Sequence, residues 1–181
     1  QDITAPIWSP SPTNQNIQLG QPFSYDVNAT DLQAITYTIN NTASFAINPA
    51  TGIIINNTPL SIGTYSLQIN ATDASNNVLT TTITVTVSDS GAPAWSPLPP
   101  NQTIELGQSF SYDANATDIQ PITYSINNTN FAINATTGII TNSTTLAIGT
   151  YWIQLNASDG VNVNSTTFRV TVADNLAPQL S

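Results

Sequence analysis

Eleven asparagines stand in the pattern Asn-x-Ser/Thr with no proline at x. They are Asn28, Asn40, Asn56, Asn70, Asn101, Asn115, Asn127, Asn134, Asn142, Asn156 and Asn164. Each is an acceptor for an N-linked sugar, joined through the side-chain amide nitrogen. Chance placement at this composition gives about five or six such patterns. The surplus is real, although the internal repetition described below inflates it. Asn48 occupies the position of Asn134 but precedes Pro49, and is expected to stay unmodified.

The remaining chemical inventory is short. The 181 residues include no His, no Cys and no Met, and Arg169 is the single basic residue. The commonest general base, the thiol and amine nucleophiles and the commonest transition-metal ligand are therefore missing. Ten acids remain, for a net charge of −9. Two carboxylates can in principle hydrolyse a glycosidic bond. These acids instead recur at repeated positions, so the chain is read as not an enzyme. One Arg cannot neutralise a run of phosphates, which excludes nucleic acid and anionic membrane surfaces as partners. No apolar run approaches the ~20 residues of a spanning helix. Direct membrane insertion by this segment is not expected.

Positioning these residues is the task of two copies of one unit. LGQPFSYDVNATDLQAITYTI at 19–39 returns as LGQSFSYDANATDIQPITYSI at 106–126. FAINPATGIII at 45–55 returns at 131–141, and IGTYSLQINATD at 62–73 returns at 148–159. Asp2, Ala5 and Pro6 match Asp89, Ala92 and Pro93, and again Asp174, Ala177 and Pro178. The expected division is a first module over 1–89 and a second over 90–174. Residues 175–181 would be a linker or the start of a third module, in a piece of a longer array or a processed chain.

Within each unit, short runs alternate with period 2 between Gly, Pro and Asn punctuation. Phe23, Tyr25, Val27 and Ala29 form one apolar face; Ile35, Tyr37 and Ile39 form another. Tyr65, Leu67, Ile69 and Ala71, then Ile83, Val85 and Val87, form two more. About seven strands in such a length predict a two-sheet Greek-key β-sandwich, hence an all-β chain of two tandem modules. Asn28, Asn40, Asn70, Asn115, Asn127, Asn134 and Asn156 have the outward parity that a glycan requires.

The order G-x-x-F-S-Y, I-T-Y-x-I, F-x-I-x-x-x-T-G-I-I, G-T-Y, A-[TS]-D and V-T-V-x-D-x-x-A-P resembles the cadherin-like superfamily. The likeness is strongest to the dystroglycan-type cadherin-like and immunoglobulin-like repeats of microbial surface proteins. It implies a cadherin/Ig-like fold, an extracellular or cell-surface place, and Ca²⁺ held by acids near the module ends. Carried over, those acids are Asp89, Asp118 and Asp159. The second Asp of the family's D-x-D loop is absent after Asp118, and Leu146-Ala147-Ile148-Gly149 carries no acid. Half of the cage is thus missing for an ion that takes 6–8 oxygens. The other reading of these Asp residues is loop capping by Asx turns, and otherwise no cofactor is expected. Dense acceptor sites with little charge also resemble archaeal surface proteins in composition.

Trp8 and Trp95 stand at equivalent places, which suggests an internal task, closing one end of the sandwich or packing the joint; a sugar-binding platform is the alternative. Trp152 lies between inward Tyr151 and Ile153, so it should point outward, where the first module has Ser66. It is either covered by a nearby glycan or loop, or an interface anchor. The expected function is that of a structural extracellular glycoprotein, a tandem segment of a surface filament, stalk or S-layer. Expected partners are other copies of the chain, neighbouring modules and covalent N-glycans. The alternative is an adhesin or carbohydrate-binding module of a larger surface protein. An added strand donated by residues 1–8 is one expected route to assembly.

Overall fold

Period-2 alternation makes strands, and every regular element among the described residues is a strand. The structure is a computed structural model that describes residues 2–175. It divides into two compact units after Asp89. Apart from Asn175, the segment expected as a linker or third module lies outside the described residues.

The first unit runs β1 (Ile7–Trp8), β2 (Gln15–Gln18), β3 (Ser24–Asp26), β4 (Ala29–Thr30), β5 (Thr36–Ile39), β6 (Phe45–Ile47), β7 (Ile53–Asn56), β8 (Gly63–Thr72) and β9 (Val78–Ser88). The second repeats it as β10 (Ala94–Trp95), β11 (Gln102–Glu105), β12 (Ser111–Asp113), β13 (Ala116–Thr117), β14 (Thr123–Ile126), β15 (Phe131–Ile133), β16 (Ile139–Asn142), β17 (Gly149–Ser158) and β18 (Val163–Ala173). Each unit has a four-stranded sheet, β2-β9-β8-β5 or β11-β18-β17-β14, and a three-stranded sheet, β3-β7-β6 or β12-β16-β15. A two-stranded ladder, β1-β4 or β10-β13, completes it. The pairing of β2 with β9, and of β11 with β18, is parallel; the others are antiparallel.

The predicted apolar faces meet between the sheets. Phe23, Val27, Phe45, Ile54, Leu67, Ile69, Ile83 and Val85 are buried in the first core. Phe110, Phe131, Ile140, Ile153, Leu155, Phe168 and Val170 are buried in the second. Phe45 meets Phe23 and Tyr65 edge-on, with centroids 5.6 and 5.8 Å apart. Phe131 repeats this with Phe110 and Tyr151 at 5.4 and 5.9 Å. Such pairs add about 0.5–1.5 kcal/mol each beyond their buried area.

The motif tyrosines have a second task. Tyr37 Oη accepts the Ala29 N–H at 2.9 Å, and Tyr124 Oη accepts the Ala116 N–H at 3.0 Å. Tyr65 Oη accepts the Ser61 N–H at 3.0 Å and donates to the Ser61 carbonyl at 3.1 Å. Trp8 stacks over Tyr37 at 6.5 Å and packs on the core edge. Trp95 packs on the second core in the same way, 6.1 Å from Tyr124. Both Trp residues thus sit within their own modules, at the β1-β4 or β10-β13 end.

In the segment expected to donate a strand, Ile7 and Trp8 pair with Thr30 and Ala29 of their own module. Trp8 is held there by its core packing, so exchange would have to extract it.

Candidate functional site

The acids converge at equivalent places of the two repeats. Asp118 and Asp159 of the second repeat each offer a carboxylate oxygen, and these lie within 4.8 Å of each other. Asp2, Asp31 and Asp73 do the same in the first repeat. The family resemblance points only to Asp89, Asp118 and Asp159. The first-repeat trio was legible too, since Asp2, Asp31 and Asp73 stand at the repeat positions of the other three.

The same residues form the Asx turns of the other reading. Asp31 Oδ1 accepts the Gln33 N–H at 2.8 Å, and Asp118 Oδ1 accepts the Gln120 N–H at 2.9 Å. Asp73, only 5% exposed, accepts the N–H groups of Ser75 and Asn77, both at 2.8 Å. Asp159 accepts those of Val161 and Asn162. Asp2 accepts from the Thr4 hydroxyl and N–H at 2.6 and 2.9 Å, and from Gln33 Nε2 at 2.9 Å.

At Asp2 and Asp159 these bonds favour the ionised form. The Thr4 hydroxyl, then its N–H, holds Asp2 below the usual carboxylate range. The Asn162 N–H, with that of Val161, does so for Asp159. Glu105 is lowered by the N–H and side-chain amide of Asn175.

Three carboxylates form a hard-oxygen set that suits Ca²⁺ rather than a transition metal. The chain has only one basic residue to offset such clusters. The Asp2, Asp31 and Asp73 trio supplies carboxylate oxygens of the kind Ca²⁺ takes, fewer than the 6–8 it needs.

None of the eleven acceptor asparagines is buried. Their amides fall into groups. Asn56 and Asn142 use both ends, with Oδ1 accepting the Phe23 or Phe110 N–H and Nδ2 donating to the Thr58 or Thr144 carbonyl, all at 2.8 Å. Asn164 Nδ2 donates to the Pro93 carbonyl at 2.8 Å. Asn40, Asn127, Asn101 and Asn134 are anchored through Oδ1 alone. Asn70 Oδ1 accepts the Thr80 hydroxyl and Asn156 Oδ1 that of Ser165. Asn28 and Asn115 are exposed beside β4 and β13. Asn48 makes the same turn as Asn134, accepting from Ala50 and Thr51 as Asn134 does from Thr136 and Thr137.

Trp152 is 58% exposed, as its parity predicts. Its cross-strand partner is Arg169, whose guanidinium lies 5.9 Å from the ring centroid. Parity cannot find this pair; it needs the β17-β18 register. A cleft of about 400 Å³ opens between β5 and β6, lined by Tyr37, Ile39, Phe45, Ile47 and Pro49 among others. No carboxylate lines it. No helix among the described residues is long and apolar enough to cross a membrane.

The profile of the family described as "Putative Ig domain" matches residues 5–88. No curated protein matches the chain. Among solved structures, titin domains Z1Z2, crystallised with telethonin, align with TM-score 0.59 and 13% identity, covering 97% of this chain and 100% of that one. Human protocadherin-24 EC1-2 aligns at 0.47 and 19% identity, over 94% and 100% of the two chains. Mouse cadherin-23 EC22-24 aligns at 0.44 and 24% identity, over 94% of this chain and 65% of that one. At these identities the likeness concerns fold, and the titin pair carries it. Residues 5–88 are thus similar to the putative Ig domain family, and in fold the chain is a tandem pair of Ig-like β-sandwiches.

Proposed function

We propose that this chain is a structural segment of an extracellular glycoprotein, part of a surface filament, stalk or S-layer. It acts through contacts between modules and between subunits, and its N-glycans shield and solubilise it. The observation that carries this reading is the set of eleven acceptor asparagines, none buried, on a surface almost without cations. A glycan coat supplies the hydration and steric separation that surface charge ordinarily supplies. It also covers sheet edges such as β6 against unwanted pairing. The test is intact mass before and after chemical deglycosylation, joined to sedimentation over a concentration series. A large mass loss and concentration-dependent assembly are expected. An unmodified chain that stays monomeric would remove the reading.

Two narrower readings have an observation behind them. The exposed Trp152 favours an adhesin or carbohydrate-binding module, which predicts glycan binding that Trp152→Ser abolishes. The acid trio of the first module favours a weak Ca²⁺ site, held by Asp2, Asp31 and Asp73. Millimolar Ca²⁺ then raises the melting temperature, chelator reverses the rise, and Asp73→Asn reduces it. A melting temperature indifferent to Ca²⁺ would leave the acids as turn caps alone.

A further inference from the structure

The outer face of the sheet β11-β18-β17-β14 differs from its first-module counterpart in one patch. Thr150, Trp152 and Gln154 of β17 face outward beside Thr167, Arg169 and Thr171 of β18. The matching residues in β8 and β9 are Thr64, Ser66 and Gln68, with Thr82, Thr84 and Thr86. Four of the six positions are identical. The two that differ are the cross-strand pair Trp152 and Arg169, which replaces Ser66 and Thr84.

A third difference touches the same place. Asn101-Gln102-Thr103 is an acceptor site, whereas the first module has Asn14-Gln15-Asn16. The asparagine itself has a structural task in both. Asn14 Oδ1 accepts the Thr84 N–H at 2.9 Å, and Asn101 Oδ1 accepts the Arg169 N–H at 3.0 Å. That bond accounts for the asparagine and leaves Thr103 unexplained. Thr103 is exposed and makes no side-chain hydrogen bond among the described residues. The Nδ2 of Asn101 likewise has no hydrogen bond there, so the end that would carry a sugar is uncommitted.

We infer that Trp152 and Arg169 form a seat for the first sugars of an N-glycan carried on Asn101. The inference rests on the glycosylation proposed above. Asn101 is tied to β18 at Arg169 itself, and Trp152 lies one strand further, about 5 Å across the sheet, within reach of the first rings of a glycan. The indole presents a flat apolar face to the C–H face of a pyranose ring. The guanidinium offers several N–H donors to sugar hydroxyl or acetamido oxygens, and already sits by the ring. The neighbouring acceptor Asn127 is a weaker source, because Asn40 repeats it in a module that lacks the Trp.

The test uses the natively glycosylated chain, with glycopeptide mass at each site and acrylamide quenching of tryptophan emission. Trp152→Phe identifies the Trp152 component against Trp8 and Trp95. Thr103→Ala removes the acceptor while keeping the Asn101 side chain and its bond to Arg169. The expected result is a modified Asn101 and a shielded Trp152. In Thr103→Ala the Trp152 quenching constant rises to that of the chemically deglycosylated chain, while Thr129→Ala, which removes the Asn127 acceptor pattern, leaves it unchanged. A modified Asn101 with quenching indifferent to Thr103→Ala overturns the seat and leaves the glycoprotein reading standing. Exposure of Trp152 by Thr129→Ala instead overturns the assignment to Asn101. An unmodified Asn101 beside other modified sites overturns the inference, and a chain with no modified site overturns both it and the reading beneath it.

Discussion

Tyr37 shows how much one motif residue does at the residue scale. Its ring is buried in the core, and its hydroxyl satisfies the Ala29 N–H of β4. Tyr37→Phe keeps the packing and strands that donor in a part-buried place. A loss of about 1–3 kcal/mol is expected, read as a lower urea midpoint. An unchanged midpoint would mean that water reaches Ala29. The motif I-T-Y-x-I made the inward parity of Tyr37 and Tyr124 legible, but not their hydroxyl bonds. Those bonds join residues 8 apart across a loop, which period-2 reasoning does not follow. The Asp turns were legible for the opposite reason: an Asx turn closes within two to four residues.

At the scale of elements, the T-G-I-I motif sets how β7 begins. Gly52 has φ +76°, and a Cβ there would lie 2.1 Å from the Val27 carbonyl oxygen. Gly138 repeats this against Ala114. The Val27 N–H also donates to the Gly52 carbonyl at 3.3 Å, so the β3 end and this turn are locked together. Gly52→Ala must shift backbone as well as bear the left-handed conformation. About 2–4 kcal/mol of destabilisation is expected, visible by calorimetry as a melting drop on the order of 10 °C. A drop of only a degree or two would show that the turn relaxes freely. The strands themselves were readable from parity, since Leu67, Ile69 and Ala71 alternate with polar neighbours and are all buried. The edge position of β6 was not, because sheet order depends on pairings between distant segments.

For the whole molecule, the charge of −9 without Lys or His makes acid response a matter of carboxylates. Asp2, Glu105 and Asp159 have folded pKa values below their ordinary 3.8 for Asp and 4.5 for Glu. A depressed folded pKa contributes stability that is fully present above the unfolded value. It is lost as pH falls through the lower, folded value. From these groups no change is expected between pH 7 and 5, and a decline is expected only below the ordinary carboxylate range. Thermal melts at stepped pH test this, with Glu105→Gln as the comparison. The variant should show a smaller acid drop than the parent; an equal drop would show that the Asn175 contacts contribute nothing. Acid tolerance of this kind suits the exposed, glycan-coated role proposed for the chain.

Composition and local order by themselves determined several things: an all-β chain of two like modules, without the usual catalytic groups, whose acceptor asparagines lie off the buried faces. These follow from counts, from the period of the repeat and from the period of the strand, all of which are short-range properties. Tertiary structure decided the rest. It brought Asp31 to Asp73 and Asp2, laid Arg169 beside Trp152, and spent the amides of Asn56 and Asn142 on backbone groups. It also paired Ile7 and Trp8 within their own module. Each of those outcomes depends on strand register and on which distant segments share a sheet. Register is set by the packing of the whole core, and no window of sequence contains that core.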